Sequence, residues 1–303
     1  MEEYSKPYFS VIIPTYNRAG LILKTIESVL NQEEKSFEVI IVDDGSTDDT
    51  EKVVDSIKDK RVKYFYKENA ERAVARNFGA HKSVGTFITF LDSDDLFYQN
   101  HLSTARNFIK NKVCKIFFQQ YEFTRADGSK QANYTPKKEK LNESLIRKGN
   151  FFSCMGVFIE REVFLENLFN ENRDLSGSED YELWLRMAAR HSIYFSNVIT
   201  STLIYHDERS VLNMGQEPLI KRIELMLHYL FSDEKFVNKY GGYKSILLAE
   251  GYSYISLHLV MSKYTSKGFF YLLKSLKAYP INLFKKRTFA IIRRILIRPS
   301  FNP

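Results

Sequence analysis

Two short apolar runs that each end in a cluster of acids constrain this chain more than any other feature. Phe37 to Val42 runs into Asp43-Asp44-Gly45-Ser46, and Thr86 to Leu91 runs into Asp92-Ser93-Asp94-Asp95. Runs of this length, rich in Val, Ile and Phe, read as buried strands. Carboxylates just past a buried strand leave the core at its carboxyl end and are held rigidly there. Two strands of one sheet then deliver acids to the same edge, where open α/β sheets bind their ligands. Carboxylate oxygens are also what Mg²⁺ or Mn²⁺ prefers, with water and substrate phosphates filling the remaining positions.

The surrounding pattern supplies the rest of such a sheet. Ser10 to Pro14 reads as a first strand, and the next helix carries apolar residues at Leu21, Ile22, Ile26, Val29 and Leu30. A helix follows the second strand, with Ser46 or Thr47 as its expected cap. Val62 to Tyr66 is a third strand, Ala70 to Lys82 a helix, and about Tyr98 to Lys110 another. Strands alternating with helices in this way predict a doubly wound, mostly parallel α/β sheet flanked by helices. Beyond Val113 the pattern loosens. Lys115 to Phe123 and Met155 to Ile159 read as strands, Ala126 to Lys140 as a surface loop, Glu179 to Ala189 as a helix, and Thr202 to Tyr205 as a last short strand. From Glu217 onward only helical periodicity remains. The expected division is a catalytic region over 1–214 and a C-terminal α-helical extension over 215–303.

At 303 residues the chain can bury a sizeable core, and its 44% hydrophobic and 27% charged content is ordinary for a globular protein. Its two cysteines, Cys114 and Cys154, lie in apolar settings and read as buried thiols. No apolar run reaches the ~18 residues of a membrane span, and the N-terminus lacks a signal-peptide pattern. A cytoplasmic location is therefore expected. The net charge of +7 is concentrated at one end. No acid follows Glu250, whereas Lys263, Lys267, Lys274, Lys277, Lys285, Lys286, Arg287, Arg293, Arg294 and Arg298 do. A nucleic-acid enzyme would place its basic stripe beside the active site, so nucleic acid is not an expected partner.

The succession Val11-Ile12-Ile13-Pro14-Thr15-Tyr16-Asn17-Arg18, Ile41-Val42-Asp43-Asp44-Gly45-Ser46, Ala75-Arg76-Asn77, Leu91-Asp92-Ser93-Asp94-Asp95 and Glu179-Asp180-Tyr181-Glu182-Leu183-Trp184 resembles family 2 glycosyltransferases of the GT-A fold. The resemblance spans roughly residues 8–210. It implies a nucleotide-diphosphate sugar donor, most simply UDP-linked, and inverting transfer to a glycan or lipid-linked acceptor with Mn²⁺ or Mg²⁺. It places Pro14, Tyr16, Arg18, Asp44, Arg76, Asp92 and Ser93 on the donor nucleotide, with Tyr16 stacking on the base and Asp44 accepting a base N–H. Asp94 would bind the metal, His206 the metal or diphosphate, and Asp180 would be the catalytic base, with Glu179 as second choice. One departure is Glu71, which stands where relatives usually carry Gly. The Gln-x-x-Arg-Trp signature of processive synthases is absent, so one sugar per encounter is expected.

The tail is a separate signal. Leu272, Leu273, Leu276, Ile281, Leu283, Phe284, Phe289, Ile291, Ile292, Ile295 and Leu296 interleave with the basic residues, a pattern suited to an anionic membrane surface. Peripheral contact with the inner face of the plasma membrane is expected, where a lipid-linked acceptor would lie. Packing of the tail on the catalytic region is the alternative. Two other functions compete with a transferase. A sugar-nucleotide nucleotidyltransferase would need a Gly-rich basic loop after the first strand, which Pro14-Thr15-Tyr16-Asn17-Arg18 is not. A non-catalytic glycan-binding or scaffold protein would not need Asp94 or Asp180.

Overall fold

A computed structural model describes residues 6–134, 137–205 and 215–296. The elements of the first two thirds are β1 (Phe9–Thr15), α1 (Ile22–Leu30), β2 (Phe37–Asp43), α2 (Thr50–Asp55), β3 (Val62–Tyr66), α3 (Arg72–Lys82), β4 (Phe87–Phe90), β5 (Leu96–Phe97), α4 (His101–Asn111), β6 (Ile116–Thr124), β7 (Lys130–Ala132), α5 (Asn142–Lys148), β8 (Val157–Glu160), α6 (Arg161–Leu165), α7 (Glu179–Arg190) and β9 (Ile193–Ile204). The last third is helical: α8 (Gln216–Ser232), α9 (Glu234–Tyr240), α10 (Lys244–Met261), α11 (Thr265–Ala278) and α12 (Lys286–Leu296).

Among the described residues one sheet runs in the order β3-β2-β1-β4-β8-β6-β9-β5, with β7 hairpinned onto β6. The first four strands in that order are mutually parallel. The other half is mixed: β8 is antiparallel to both β4 and β6, whereas β9 is parallel to β6. Every residue of β1 and β2 is buried, as their mostly apolar runs require, and the buried Glu38 is paired with Ser10 and Lys63. Because β1, β2 and β4 run the same way, Thr15, Asp43 and Phe90 end at one edge, and Asp44 and Asp92 follow directly. Pro14 sits in this central strand without breaking the ladder, since β4 pairs only with Phe9 to Ile12 and no partner strand faces its missing N–H.

Helix α3 lies unusually close to that ladder. A Cβ at Gly79 would stand 2.6 Å from Ile12 Cγ2 and 3.1 Å from Val42 Cγ2, so only Gly admits this approach. The close seat brings Arg76, one turn earlier, under the edge of the sheet. Helices α8 to α11 contribute Ile223, Leu227, Phe236, Leu247, Ile255 and Tyr271 to the same core as the sheet. Val260, Leu272 and Ile291 form a small second cluster beneath α12.

Several sequence expectations need correction. Neither Ser46 nor Thr47 caps α2. Its N-cap is Asp49, and Ser46 and Thr47 instead bond Asn17 across the neighbouring loop. Helix α3 begins at Arg72 rather than Ala70, and α4 begins at His101 rather than Tyr98. The segment read as loop from Ala126 to Lys140 contains β7. The "short" last strand is the twelve-residue β9. Polar residues in its first part hid it: Ser196, Asn197, Thr200 and Ser201 interrupt the apolar run, and Thr200 is fully buried with its hydroxyl 2.8 Å from His101 Nδ1. Both cysteines are buried free thiols, as expected.

Candidate active site

The two acids after Val42 have different jobs. Asp43, 1% exposed, accepts the Ser46 N–H and the Tyr64 hydroxyl, each at 2.7 Å, and so closes the turn after β2. Asp44 lies at the edge itself. Its Oδ1 accepts from Lys67 Nζ at 2.6 Å and from the Ala70 N–H at 3.0 Å, and its Oδ2 accepts from the Glu71 N–H at 2.8 Å. Asn69 donates to the Asp44 carbonyl at 2.9 Å. Residues 67–71 are therefore wrapped around Asp44. The neighbouring loop after β1 is zipped to residues 46–50 by the Asn17 and Arg18 N–H groups, which leaves Tyr16 48% exposed at the mouth.

At the end of β4 the acids divide again. Asp95 is fully enclosed and accepts the Ile204 N–H at 2.9 Å, tying β4 to β9. Asp92 accepts from Arg76 Nη2 at 2.7 Å, and the other arm of that guanidinium reaches Glu179 Oε1 at 3.1 Å. Arg76 is only 2% exposed, so it makes a buried bridge between the β4 edge and the first turn of α7, not a surface ion pair. Ser93 is buried and Asp94 half-buried between these groups along the chain. None of these acids caps α4, whose N-cap is Asn100.

Helix α7 opens with Glu179, Asp180 and Glu182, where the macrodipole favours negative charge. Glu179, 3% exposed, also accepts the Gly177 N–H at 2.6 Å. Asp180 accepts from Asn150 Nδ2 at 3.1 Å and from the Tyr181 N–H at 2.6 Å. Burial, followed by the Glu179 charge beside it, raises the Asp180 pKa to about 6; Arg76 and the two hydrogen bonds pull the other way. A carboxylate tuned toward neutrality suits a group that must take up a proton at neutral pH.

Asp92, Glu179 and Asp180, separated in sequence by up to 88 positions, are thus assembled around one guanidinium. Asp44 connects to them through Glu71, whose side chain accepts from Arg173 Nε at 3.0 Å and Ser176 Oγ at 3.2 Å in the segment leading into α7. Glu71 has φ +79° and ψ 160°. That region is essentially reserved for Gly, and such strain costs about 1–3 kcal/mol. The Glu71–Arg173 pair, with Arg173 65% exposed, contributes at most about 1 kcal/mol in return. The sequence marked the Glu71 position as unusual but not its partners. Lys67, Asn150 and Arg173 carried no signal in the chain. His206 lies outside the described residues.

Among the described residues no three His, Cys, Asp or Glu side chains converge as a preformed metal cage. Mg²⁺ and Mn²⁺ do not need one when phosphates and water complete the shell, and one or two carboxylates suffice. The Asp92-Ser93-Asp94 segment offers that donor chemistry, with Asp94 half-buried at the edge. The residues fit the ion. A cleft of about 760 Å³, bordered by Arg186, Arg190, His191 and Lys239, lies at the opposite end of α7. None of the candidate residues lines it, and its two arginines are paired with Glu182 and Asp233.

The family model described as Glycosyl transferase family 2 matches residues 10–168, which hold every candidate before α7. A glycosyltransferase of Rickettsia bellii is 36% identical over 218 residues, 67% of this chain and 30% of that protein. The chain spans less than a third of the length of the first relatives it matches. The GalNAc(5)-diNAcBac-PP-undecaprenol beta-1,3-glucosyltransferase of Campylobacter jejuni is 30% identical over 223 residues, covering 69% of each chain. Among solved structures, S. aureus TarS 1-349 in complex with UDP matches with a TM-score of 0.66 at 20% identity, over 95% of this chain and 88% of that one. The same protein in complex with UDP-GlcNAc matches with a TM-score of 0.65 at 18% identity, over 94% and 91%. At these identities the structural matches establish the fold: an α/β mixed sheet flanked by helices, of the GT-A type.

Proposed function

The chain belongs to glycosyl transferase family 2, and on that premise we propose that it moves a sugar from a UDP-linked donor to a hydroxyl of a glycan or lipid-linked acceptor, with inversion. The observation that carries this reading is the Arg76 bridge, which sets Asp92 of the β4 edge beside Glu179 and Asp180 of α7. A donor-side acid and a candidate base thereby share one locus. The UDP-bound neighbours support a uridine donor, and the undecaprenol-linked substrate in the name of one relative supports a lipid-linked acceptor.

In this reading Tyr16 stacks on the base, and Asp44 with the loop wrapped around it receives the base edge. Asp94 would hold Mn²⁺ or Mg²⁺, with Asp92 on the donor nucleotide beside it, and the ion would supply positive charge against the departing diphosphate. Asp180 accepts the proton from the acceptor hydroxyl. That oxygen forms its bond to the anomeric carbon from the face opposite the diphosphate, the bond from the anomeric carbon to the diphosphate oxygen breaks, and UDP leaves. Glu179 is held by Arg76 and the Gly177 N–H, and its negative charge keeps the Asp180 carboxylate basic.

The C-terminal helices fit a lipid surface. Four of the basic residues form ion pairs with acids of the same chain: Lys285 and Arg287 with Glu250, Lys267 with Glu217, and Lys274 with Glu224. Lys263, Lys277, Lys286, Arg293 and Arg294 are exposed. Beside them Phe269, Phe270 and Leu273 on α11, Ile281, Leu283 and Phe284 in the following turn, and Phe289 and Leu296 on α12 are all exposed. Five charges at about 1 kcal/mol each, with this apolar surface, are enough for reversible attachment to anionic lipid. No helix among the described residues is long and apolar enough to cross a membrane.

The test is release of UDP from UDP-sugars with and without Mn²⁺. Slow, Mn²⁺-dependent UDP release supports the reading. Pyrophosphate release would instead mark a nucleotidyltransferase, and no release from any UDP-sugar would refute the uridine donor.

A further inference from the structure

We propose that Glu71 is a positioning residue that locks the segment carrying the candidate base to the loop that receives the donor base. The inference rests on the transferase reading and deepens it. One residue spans the two loops: its backbone N–H is bound by Asp44 Oδ2 at 2.8 Å, and its carboxylate holds Arg173 and Ser176 at 3.0 and 3.2 Å. Arg173 reinforces the junction by donating to Asn69 Oδ1 at 2.6 Å, on the other arm of the loop around Asp44.

A displacement at Ser176 does not dissipate before it reaches α7. Gly177 is stacked on the Arg222 guanidinium, where a Cβ would stand 2.5 Å from Nη1, and its N–H is tied to Glu179. Arg222 is itself 2% exposed, so the floor under this segment is rigid. The segment from Ser176 to Asp180 therefore follows Glu71, and Glu71 follows the loop that closes on the donor base.

The backbone supplies the second, independent observation. With φ +79° and ψ 160°, position 71 has a conformation that Gly adopts freely and Glu does not. A Gly here would keep the N–H bond to Asp44 and release the strain. The chain carries Glu despite that strain, and what Glu adds is the exposed contact to Arg173 and the bond to Ser176. Those contacts favour alignment over stability.

The experiment compares wild type, E71G and E71Q by thermal melting, UDP calorimetry, turnover at saturating UDP-sugar, and hydrogen exchange of residues 173–182 with and without UDP. E71G should melt a few degrees higher than wild type and bind UDP within threefold, yet turn over at least tenfold more slowly. UDP should slow exchange of residues 173–182 in wild type and fail to do so in E71G. E71Q, which keeps the shape and the Ser176 contact, should recover most of the turnover. An E71G variant with turnover within twofold of wild type, or with unchanged UDP protection of 173–182, would overturn the proposal. So would one that loses stability, UDP affinity and turnover together, which is the signature of a purely structural residue. A wild type that binds UDP and shows the protection but transfers no sugar would count against the transferase reading alone.

Discussion

Arg76 donates to Asp92 across 2.7 Å while lying 2% exposed beneath the carboxyl edge of the sheet. With its other arm on Glu179, this guanidinium neutralises charge that the fold has buried from two directions. Removing one partner of a buried charge network leaves the others uncompensated, at a cost of about 3–5 kcal/mol. Arg76→Met should lower stability by that order in urea unfolding, and Arg76→Lys, which lacks the two-armed geometry, should also destabilise. An R76M loss below about 1 kcal/mol would show that the bridge does not hold the edge together.

The raised Asp180 pKa gives a pH dependence of definite sign. The base works as the carboxylate, so kcat/KM should climb with pH through about 6 and fall tenfold per unit below it. The same shift acts oppositely on stability. The fold favours the protonated acid, so wild type loses stability as pH rises from the ordinary carboxylate range through about 6. Asp180→Asn should therefore melt above wild type at pH 8, and the gap should shrink by pH 5. A flat rate profile between pH 5 and 7 would count against Asp180 as base.

His101 predicts acid sensitivity away from the site. It is fully buried, stacked on Phe97 at 3.6 Å, and burial lowers its pKa to about 3. The unfolded chain takes up a proton at this residue near pH 6.5 and the folded one does not. This contribution to stability is complete above pH 6.5 and is lost as pH falls toward 3, at up to about 1.4 kcal/mol per pH unit. His101→Gln, whatever its cost at pH 8, should show a shallower decline in denaturant midpoint between pH 6.5 and 4.5. An unchanged slope would assign the acid sensitivity to other groups.

Lipid attachment is checked with the intact chain and vesicles of anionic phospholipid. The double substitution of Phe284→Glu and Phe289→Glu puts two acids on exposed apolar positions, 75% and 59% accessible, and should cut co-sedimentation at least tenfold. High salt should weaken binding of wild type as well, since salt screens the attraction between exposed basic residues and anionic lipid. Equal co-sedimentation of the variant and wild type would place the contact elsewhere.

What the sequence disclosed follows from how local each signal was. Strands β1, β2 and β4 were legible because burial on both faces leaves mostly apolar runs, whereas the half-exposed β3 shows through its β-branched and aromatic residues. The carboxyl-edge acids followed from strand direction alone. Strand β9 is legible only from Thr202 because Ser196, Asn197, Thr200 and Ser201 interrupt its apolar run, and only the fold supplies Thr200 with its partner on α4. The split between Asp43, which closes a turn, and Asp44, which faces the edge, is likewise decided by Tyr64 and Lys67, more than twenty positions away. The resemblance places Arg76 on the donor, but nothing in Ala75-Arg76-Asn77 announces that Gly79 draws this helix against Ile12 or that the guanidinium bridges Asp92 and Glu179. Glu71 was visible as an odd residue, yet its role depends on Arg173 and Ser176, over a hundred positions on.

The central claim is that Asp180 takes the acceptor proton at a site that binds the donor without it. The direct measurement is UDP calorimetry alongside sugar transfer for Asp180→Asn. The account predicts UDP affinity within threefold of wild type and transfer reduced at least a thousandfold. Transfer by this variant at a rate comparable to wild type would contradict it.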